Sequence, residues 1–205
     1  MNQGLLILVS APSGAGKTSL VNSLVKKDQN LVPSISHTTR KKRNGEINGQ
    51  DYFFVNTDHF TKMIQNEEFL EYADVFGNLY GTSKNEVAAK RASGLDVLLE
   101  IDWQGANKIQ SMSPDTVSIF IMPPSLKELK NRLIKRDKDS LDIIEYRLSQ
   151  AHKDISKARQ YKYLVINDFF DKAESNLTNI IFAERLKTLN QIKNNVLVQA
   201  LLSPT

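Results

Sequence analysis

Hydrophobic residues in this chain fall into short continuous runs, separated by longer segments with helical spacing. Four runs are apolar, or nearly so, and rich in β-branched side chains: residues 5–9, 97–101, 118–122 and 163–166. Such runs are typical of strands buried on both faces, as in a parallel sheet. Helical spacing extends over five segments: residues 17–27, 84–93, 126–136, 141–157 and about 172–194. The alternation predicts an α/β fold wound around a parallel sheet.

Two of the predicted helices carry a start signal. Ser83 with Glu86, and Ser125 with Glu128, have the spacing of a capping box. In that motif the hydroxyl oxygen accepts a hydrogen bond from a backbone N–H of the first turn. We therefore expect helices to begin directly after both serines.

The segment from about residue 35 to residue 80 interrupts the alternation. It contains a basic run, a glycine-rich turn region at 44–51, aromatic strands at 52–55 and 69–75, and a short helix at 58–66. Gly77-Asn78 is a plausible hairpin turn within it. We expect a small subdomain inserted over the sheet.

Composition and charge narrow the class of protein. A length of 205 residues fits one domain with inserted subdomains. The net charge of +4 suits anionic ligands but is too small by itself to indicate a nucleic-acid binder. The chain has no cysteine, which excludes disulfides, thiol catalysis and cysteine-ligated metals. The longest aliphatic run has five residues, so we expect no membrane span or signal peptide and a cytoplasmic location.

Residues 10–19, SAPSGAGKTS, follow the first predicted strand and open into a helix. They match the P-loop pattern G-x-x-x-x-G-K-[ST], except that Ala11 replaces the first glycine. Small residues allow backbone N–H groups to surround phosphate oxygens, and the helix N-terminus favours an anion. A glycine-rich turn that only caps a helix is the alternative. The strand before and the helix after favour a nucleoside-triphosphate site, lined by Ala11, Pro12, Ser13, Gly14, Ala15, Gly16, Lys17 and Thr18.

Two residues of this loop carry the expected chemistry. Lys17 would span the β- and γ-phosphates, and the Thr18 hydroxyl would be a ligand of Mg²⁺. Ala11 is compatible with the loop if its φ is negative, because only a positive φ requires glycine. The pattern predicts a nucleoside triphosphate but does not say what accepts the phosphate.

Six further stretches identify a family. They are SHTTRKKR at 36–43, GEINGQDY at 45–52, EFLE at 68–71, GNLYGT at 77–82, LEIDWQG at 99–105 and VIND at 165–168. Together with the loop, and in this order, they closely resemble guanylate kinases over residues 4–185. The resemblance implies a P-loop nucleotide kinase fold with a central parallel five-stranded sheet flanked by helices. It also implies a core at 1–34, 84–125 and 156–205, a GMP-binding subdomain at 35–83 and a lid at 126–155.

The resemblance assigns the acceptor site. Arg40 and Arg43 match the clamp on the GMP phosphate, and a planar guanidinium suits that role because it binds phosphate oxygens bidentately. Glu71 matches the carboxylate that recognises guanine, whose N1–H and exocyclic amine at C2 are adjacent donors. Adenine has no amine at C2 and presents N1 as an acceptor. Taken singly, Tyr52 and Tyr80 could be core aromatics, and Glu71 could be a solvated strand residue. The basic run could be a solvated loop. The implied GMP-binding set is Ser36, Arg40, Arg43, Tyr52, Glu71, Tyr80, Thr82 and Glu100.

The resemblance also assigns the donor side. Lid and core arginines Arg132, Arg136 and Arg147 would close over the triphosphate, and Asn167 would reach the adenine. Asp102, after an apolar strand, would hold Mg²⁺ through water. The alternative is that either Glu100 or Asp102 only caps the next helix. The arginine-bearing helix could instead be a solvated basic helix. Asp137 and Phe169 depart from the family, which often has glycine and a second acid there.

These assignments predict an Mg²⁺-dependent, reversible ATP:GMP phosphotransferase, active in guanine nucleotide synthesis and GMP recycling. The implied catalytic set is Lys17, Arg40, Arg132, Arg136 and Arg147. No catalytic base is needed, because a phosphate monoester is mostly dianionic at pH 7. Three other classes stay open: a kinase of another acceptor such as a ribose phosphate, a non-catalytic binding module, and a nucleic-acid binder. An apolar stripe of Leu186, Leu189, Ile192 and Val196 could pack on the core or on another subunit, so a homodimer is an open possibility.

Overall fold

The computed structural model describes residues 3–75, 77–136 and 141–203, apart from the side chains of residues 136 and 141–143. The described strands are β1 Leu6–Ser10, β2 Leu31–Pro33, β3 His37–Thr38, β4 Phe53–Phe54, β5 Phe69–Val75, β6 Asn78–Ser83, β7 Asp96–Glu100, β8 Val117–Met122 and β9 Tyr163–Ile166. The described helices are α1 Lys17–Lys27, α2 Thr57–Gln65, α3 Lys84–Ala92, α4 Trp103–Met112, α5 Leu126–Arg136, α6 Leu141–Ser156, α7 Phe170–Arg185, α8 Thr188–Asn194 and α9 Val196–Leu202.

The central sheet has five parallel strands in the order β2-β7-β1-β8-β9. Strand β1 lies in the middle and all five of its residues are buried. Because side chains alternate across a strand, Ile7 and Val9 pack with α1 and α7, whereas Leu6 and Leu8 pack with α3 and α4 on the opposite face. The predicted α/β fold with a two-sided apolar sheet is confirmed.

The pattern missed two elements of this layer. Strand β2 is an edge strand of three residues, of which only Leu31 is buried. It is too short to be recognised as an apolar run. Helix α4 has a mostly polar sequence and buries Gly105, Ala106 and Ile109. Two of these residues are small, so the buried face of α4 is a weak signal in the sequence.

The last predicted helix is also different in the structure. The segment expected at about 172–194 forms α7 and α8, because Lys187 is extended, with ψ of 138°, between them. The apolar stripe that follows does not join the core: Leu186, Leu189 and Val196 are each at least 65% exposed.

A second sheet, in the order β4-β3-β6-β5, lies within the predicted insertion. Strands β5 and β6 form an antiparallel hairpin, and Phe60, Met63 and Phe69 form a small core beneath it. Val75 pairs with Asn78, so Asn78 belongs to the strand and not to the turn expected at Gly77-Asn78. Gly77 has a φ of 76°, which explains the glycine.

Both expected serine caps form. The Glu86 N–H donates to Ser83 Oγ at 3.4 Å, and the Glu128 N–H donates to Ser125 Oγ at 3.0 Å. Helices α5 and α6 pack on each other through a separate apolar cluster made by Leu129, Leu133, Ile144 and Ala151. No helix among the described residues is long and apolar enough to cross a membrane.

Candidate active site

The loop between β1 and α1 has the geometry of an anion cradle. Gly14 and Gly16 have φ values of 88° and 92°, which favour glycine. A Cβ on Gly16 would stand 2.4 Å from Asn167 Nδ2. Ala11 keeps a negative φ, so the replacement of the first glycine costs the loop nothing in backbone strain. The loop lines a cavity of about 290 Å³ that reaches from Ala11 to Ser19.

Lys17 and Thr18 converge on one carboxylate at the end of β7. Thr18 Oγ1 donates a 2.9 Å hydrogen bond to Glu100 Oε2, and Lys17 Nζ lies 4.0 Å from the same oxygen. Burial lowers the pKa of Lys17, while the charges of Glu100, Asp102 and Asp154 act in the opposite direction. The loop thus presents a cation and a hydroxyl beside the carboxyl end of the sheet.

Asp102 caps the next helix. Its Oδ1 accepts a 2.8 Å hydrogen bond from the Gly105 N–H, which is one of the two roles open from the sequence. The oxygen donors of Thr18, Glu100 and Asp102 still suit a hard cation, since Mg²⁺ takes one or two carboxylates and completes its shell with water and phosphates. Among the described residues no cluster of three or more His, Cys, Asp or Glu could hold a metal ion.

Glu71 is buried in the hairpin and is not a solvated strand residue. Only 6% of it is exposed, and its Oε1 accepts a 2.6 Å hydrogen bond from Thr82 Oγ1 on the neighbouring strand. Burial raises the pKa of Glu71, and the Thr82 hydrogen bond opposes that change. A buried carboxylate with one oxygen bound is suited to recognise paired donors such as those of guanine.

Arg40 is held in a fixed orientation by Glu46. Its Nη1 and Nη2 donate to the two Glu46 oxygens at 3.1 and 2.6 Å, and Nη1 also donates to the Lys41 carbonyl at 2.9 Å. The guanidinium carbon lies 5.3 Å from the Tyr52 ring centre and 5.7 Å from that of Phe54. The hydrogen bond to Glu46 is the main cause that raises the pKa of Arg40.

The remaining acceptor residues surround this arginine. The rings of Tyr52 and Tyr80 meet edge to face at 5.8 Å, and Tyr80 makes a smaller contribution than Glu46 to raising the pKa of Arg40. The Arg43 side chain is exposed, and its backbone N–H donates to Glu46 Oε2 at 2.7 Å. Ser36 is half-buried, and its carbonyl accepts from the Phe53 N–H at 2.9 Å. Sequence reasoning missed Glu46, although an isolated acid beside a basic run is a detectable signal.

On the donor side, Asn167 braces the P-loop. It is 5% exposed, and its Nδ2 donates a 2.7 Å hydrogen bond to the Ala15 carbonyl. Arg132 Nη2 donates to the Asn167 carbonyl at 3.1 Å, and its Nε donates to Glu128 at 3.0 Å. The amide expected to reach adenine is therefore hydrogen-bonded within the protein. Arg147 is half-buried on α6. The side chain of Arg136, a predicted site, and the family departure at Asp137 lie outside the described residues.

Helix α6 also brings Asp154 to the site, which sequence reasoning missed. Burial and the charge of Asp102 raise the pKa of Asp154 to about 6, and Lys17 opposes them. One turn later, Lys157 Nζ lies 4.9 Å above the Trp103 ring at the start of α4. Asp154 stands seven residues after Arg147, on the same helix face, and this spacing was the available signal.

Comparisons with known proteins agree on one family. The family model described as guanylate kinase matches residues 3–184. The chain is similar to the curated guanylate kinase of Salmonella typhimurium, with 50% identity over 99% of this chain and 100% of that one. It is 48% identical to the guanylate kinase of Hahella chejuensis, over 99% of this chain and 98% of that one. A crystal structure of guanylate kinase from Anaplasma phagocytophilum superposes with a TM-score of 0.77 at 35% identity, covering 98% of this chain and 95% of that chain.

Proposed function

The chain belongs to the guanylate kinase family and transfers a phosphate group from ATP to GMP, and we propose that the side chains between the P-loop and Glu71 carry out this transfer. The supporting observation is that residues 100–105 contact both ends of the site. Glu100 binds Thr18 at one end, and Gly105 lies against Glu71 at the other. The donor and acceptor would then meet at the carboxyl end of β7, where open α/β sheets bind ligands.

We propose that Glu71 recognises the guanine base. Its carboxylate accepts from the N1–H and the exocyclic amine, while Ser36 and Thr82 address the O6 and N7 edge. Thr82, which donates to Glu71 in this structure, would turn its one hydroxyl hydrogen to the base. Adenine presents N1 as an acceptor and has no amine at C2, so it would leave a buried carboxylate unpaired. Such a mispairing discriminates strongly between substrates.

The GMP phosphate would bind to Arg40, Arg43, Tyr52 and Tyr80. Glu46 binds the Nη1–Nη2 edge of Arg40, and the Nε–Nη2 edge would bind the phosphate as a second fork. Because Glu46 already orients the guanidinium, Arg40 would lose little side-chain freedom when it binds phosphate oxygens. Glu100 would contact the same nucleotide.

In the transfer step, an oxygen of the GMP phosphate attacks the γ-phosphorus of ATP. A new P–O bond forms, the bond from the γ-phosphorus to the bridging oxygen breaks, and ADP leaves with that electron pair. The attacking phosphate is already mostly dianionic at pH 7, so no side chain has to remove a proton. Lys17, Arg40, Arg132, Arg136 and Arg147 would neutralise the charge that spreads over the transferred group, and a closing lid at 126–155 would exclude water.

Mg²⁺ fits the oxygen donors described above. Thr18 and Asp102, the latter through water, would hold it, with Glu100 nearby. Held there with ATP, the ion would supply positive charge that offsets part of the charge of the triphosphate. We further propose that the enzyme serves guanine nucleotide synthesis and GMP recycling in the cytoplasm.

A coupled assay of ADP release tests the proposal. Mg-ATP is offered with GMP, dGMP, AMP, CMP, UMP or a ribose phosphate. If Glu71 recognises guanine, turnover should be high with GMP and dGMP and low with AMP. Loss of that preference in Glu71→Gln, with an unchanged KM for ATP, would support the assigned acceptor site. An unchanged preference in this variant would refute it.

A further inference from the structure

Gly105 lies where any side chain would collide with Glu71, the residue proposed to recognise guanine. A Cβ built on Gly105 would stand 2.8 Å from Glu71 Oε2, 3.2 Å from Cδ and 3.3 Å from Cγ. Ordinary van der Waals contact begins at 3.4 Å, so the carboxylate oxygen would have to move by about 0.6 Å. The collision concerns the end of a side chain and not the backbone.

The backbone at Gly105 does not itself require glycine. Its φ is not positive, and the residue lies in the first turn of α4, where alanine is a better helix former. The close approach of Glu71 is the physical reason for having no side chain at this position.

The Glu71 carboxylate is held between two elements. Thr82 binds Oε1 at 2.6 Å from one side, and α4 approaches Oε2 at Gly105 from the other. The place of Gly105 is fixed in turn, because its N–H donates to the Asp102 cap at 2.8 Å. A displaced carboxylate therefore cannot move toward Thr82 without compressing a short hydrogen bond.

We propose that Gly105 is a specificity-determining position: the missing side chain lets helix α4 support the Glu71 carboxylate at the place from which it accepts both guanine donors. This inference rests on the proposed role of Glu71. Gly105 acts through Glu71 and is a positioning residue. Two parallel hydrogen bonds tolerate a displacement poorly, so the exocyclic amine contributes less when Glu71 is moved.

The test compares Gly105→Ala with the unchanged chain, using GMP and inosine monophosphate (IMP), whose base lacks the exocyclic amine. We expect the KM for GMP to rise about tenfold or more and the GMP-over-IMP ratio of kcat/KM to fall. The KM for ATP should stay within about twofold, and the melting temperature should change little, since the helix preference of alanine opposes the cost of the collision with Glu71. Ser111→Ala, on the exposed side of α4, is the matched control and should change none of these values.

A double-variant cycle separates positioning from a general packing defect. Glu71→Asp shortens the side chain and removes the collision, so Gly105→Ala should add little to its effect. If Gly105→Ala alone does not fold while the double variant does, the collision with Glu71 is supported. Equal losses in both backgrounds, or an unchanged GMP-over-IMP ratio in a folded Gly105→Ala, would overturn the inference. If Glu71→Gln also keeps the ratio, the proposed role of Glu71 fails instead.

Discussion

Glu46 holds the guanidinium of Arg40 through two hydrogen bonds, of 2.6 and 3.1 Å. Arg40 also donates to the Lys41 carbonyl and lies against the Tyr52 ring, so its head group is fixed before any ligand arrives. A flexible arginine loses side-chain entropy on binding phosphate, and this ion pair lowers that loss. We therefore expect Glu46, the acid beside the basic run, to assist the proposed binding of phosphate by Arg40.

We predict that Glu46→Gln raises the KM for GMP several-fold and changes kcat less. The amide cannot accept from both guanidinium nitrogens, so Arg40 would be less well oriented. Steady-state kinetics with GMP and ATP varied separately measure the effect. Glu67→Gln, an exposed acid in the same insertion, is the control. An equal change in the two variants would mean that only the overall charge matters.

Lys17→Ala should reduce kcat by about 10²-fold or more, because the charge of the transferred phosphate loses its nearest cation. The fold should be retained with an equal or higher melting temperature, since burial already lowers the pKa of Lys17. Lys26→Ala, exposed on the same helix, should leave turnover unchanged. Near-normal turnover in Lys17→Ala would contradict the P-loop assignment.

The binding of guanosine should weaken on acidification because of Glu71. Burial raises the pKa of this carboxyl above its ordinary 4.5, so it protonates at a higher pH than an exposed glutamate. Protonation removes an acceptor that the base needs, and affinity falls as pH decreases. Calorimetry with guanosine, which has no phosphate to titrate, measures this, and Glu71→Gln should show weak affinity with little pH dependence. Parallel pH profiles would exclude Glu71 as the titrating group.

Asn167→Ala should lower the free energy of unfolding by about 1–3 kcal/mol, because the buried Ala15 carbonyl loses its partner. The P-loop would be less ordered, and the KM for ATP should rise while that for GMP changes little. Urea unfolding and kinetics measure the two effects, with the exposed Asn131→Ala as control. If Asn167 instead contacts adenine, the variant would lose its preference for ATP over GTP. If Asn167 only supports the P-loop, kcat/KM should fall equally with both phosphate donors.

Asp154 should make stability decrease as pH rises. Its pKa is about 6 in the folded chain against an ordinary 3.8, so the folded state binds the proton more tightly. Between about pH 4 and 6 the free energy of unfolding then falls with increasing pH, by at most about 3 kcal/mol and by less after solvent screening. Asp154→Asn removes this dependence, so it should stabilise the protein more at pH 8 than at pH 5. A pH-independent difference in urea unfolding would show that Asp154 is not perturbed.

The sequence was sufficient to predict those elements whose signals lie within a few neighbouring residues. The apolar runs predicted four of the five strands of the central sheet, and the two serines marked the starts of α3 and α5. The P-loop residues were identified because strand, glycines, lysine and helix are adjacent along the chain. The edge strand β2 and the polar helix α4 escaped prediction because their burial comes from neighbouring layers.

The sequence by itself determined the α/β class, the P-loop and, through resemblance, the family of this protein. Only the tertiary structure decided which side chains meet: Thr18 binds Glu100 across 82 residues, and Asn167 binds Ala15 across 152. It also decided that Asp102 caps α4 and that Glu71 lies against Gly105. The physical reason is that periodicity and capping act within a few residues, whereas contacts between strand ends depend on how the whole sheet is ordered.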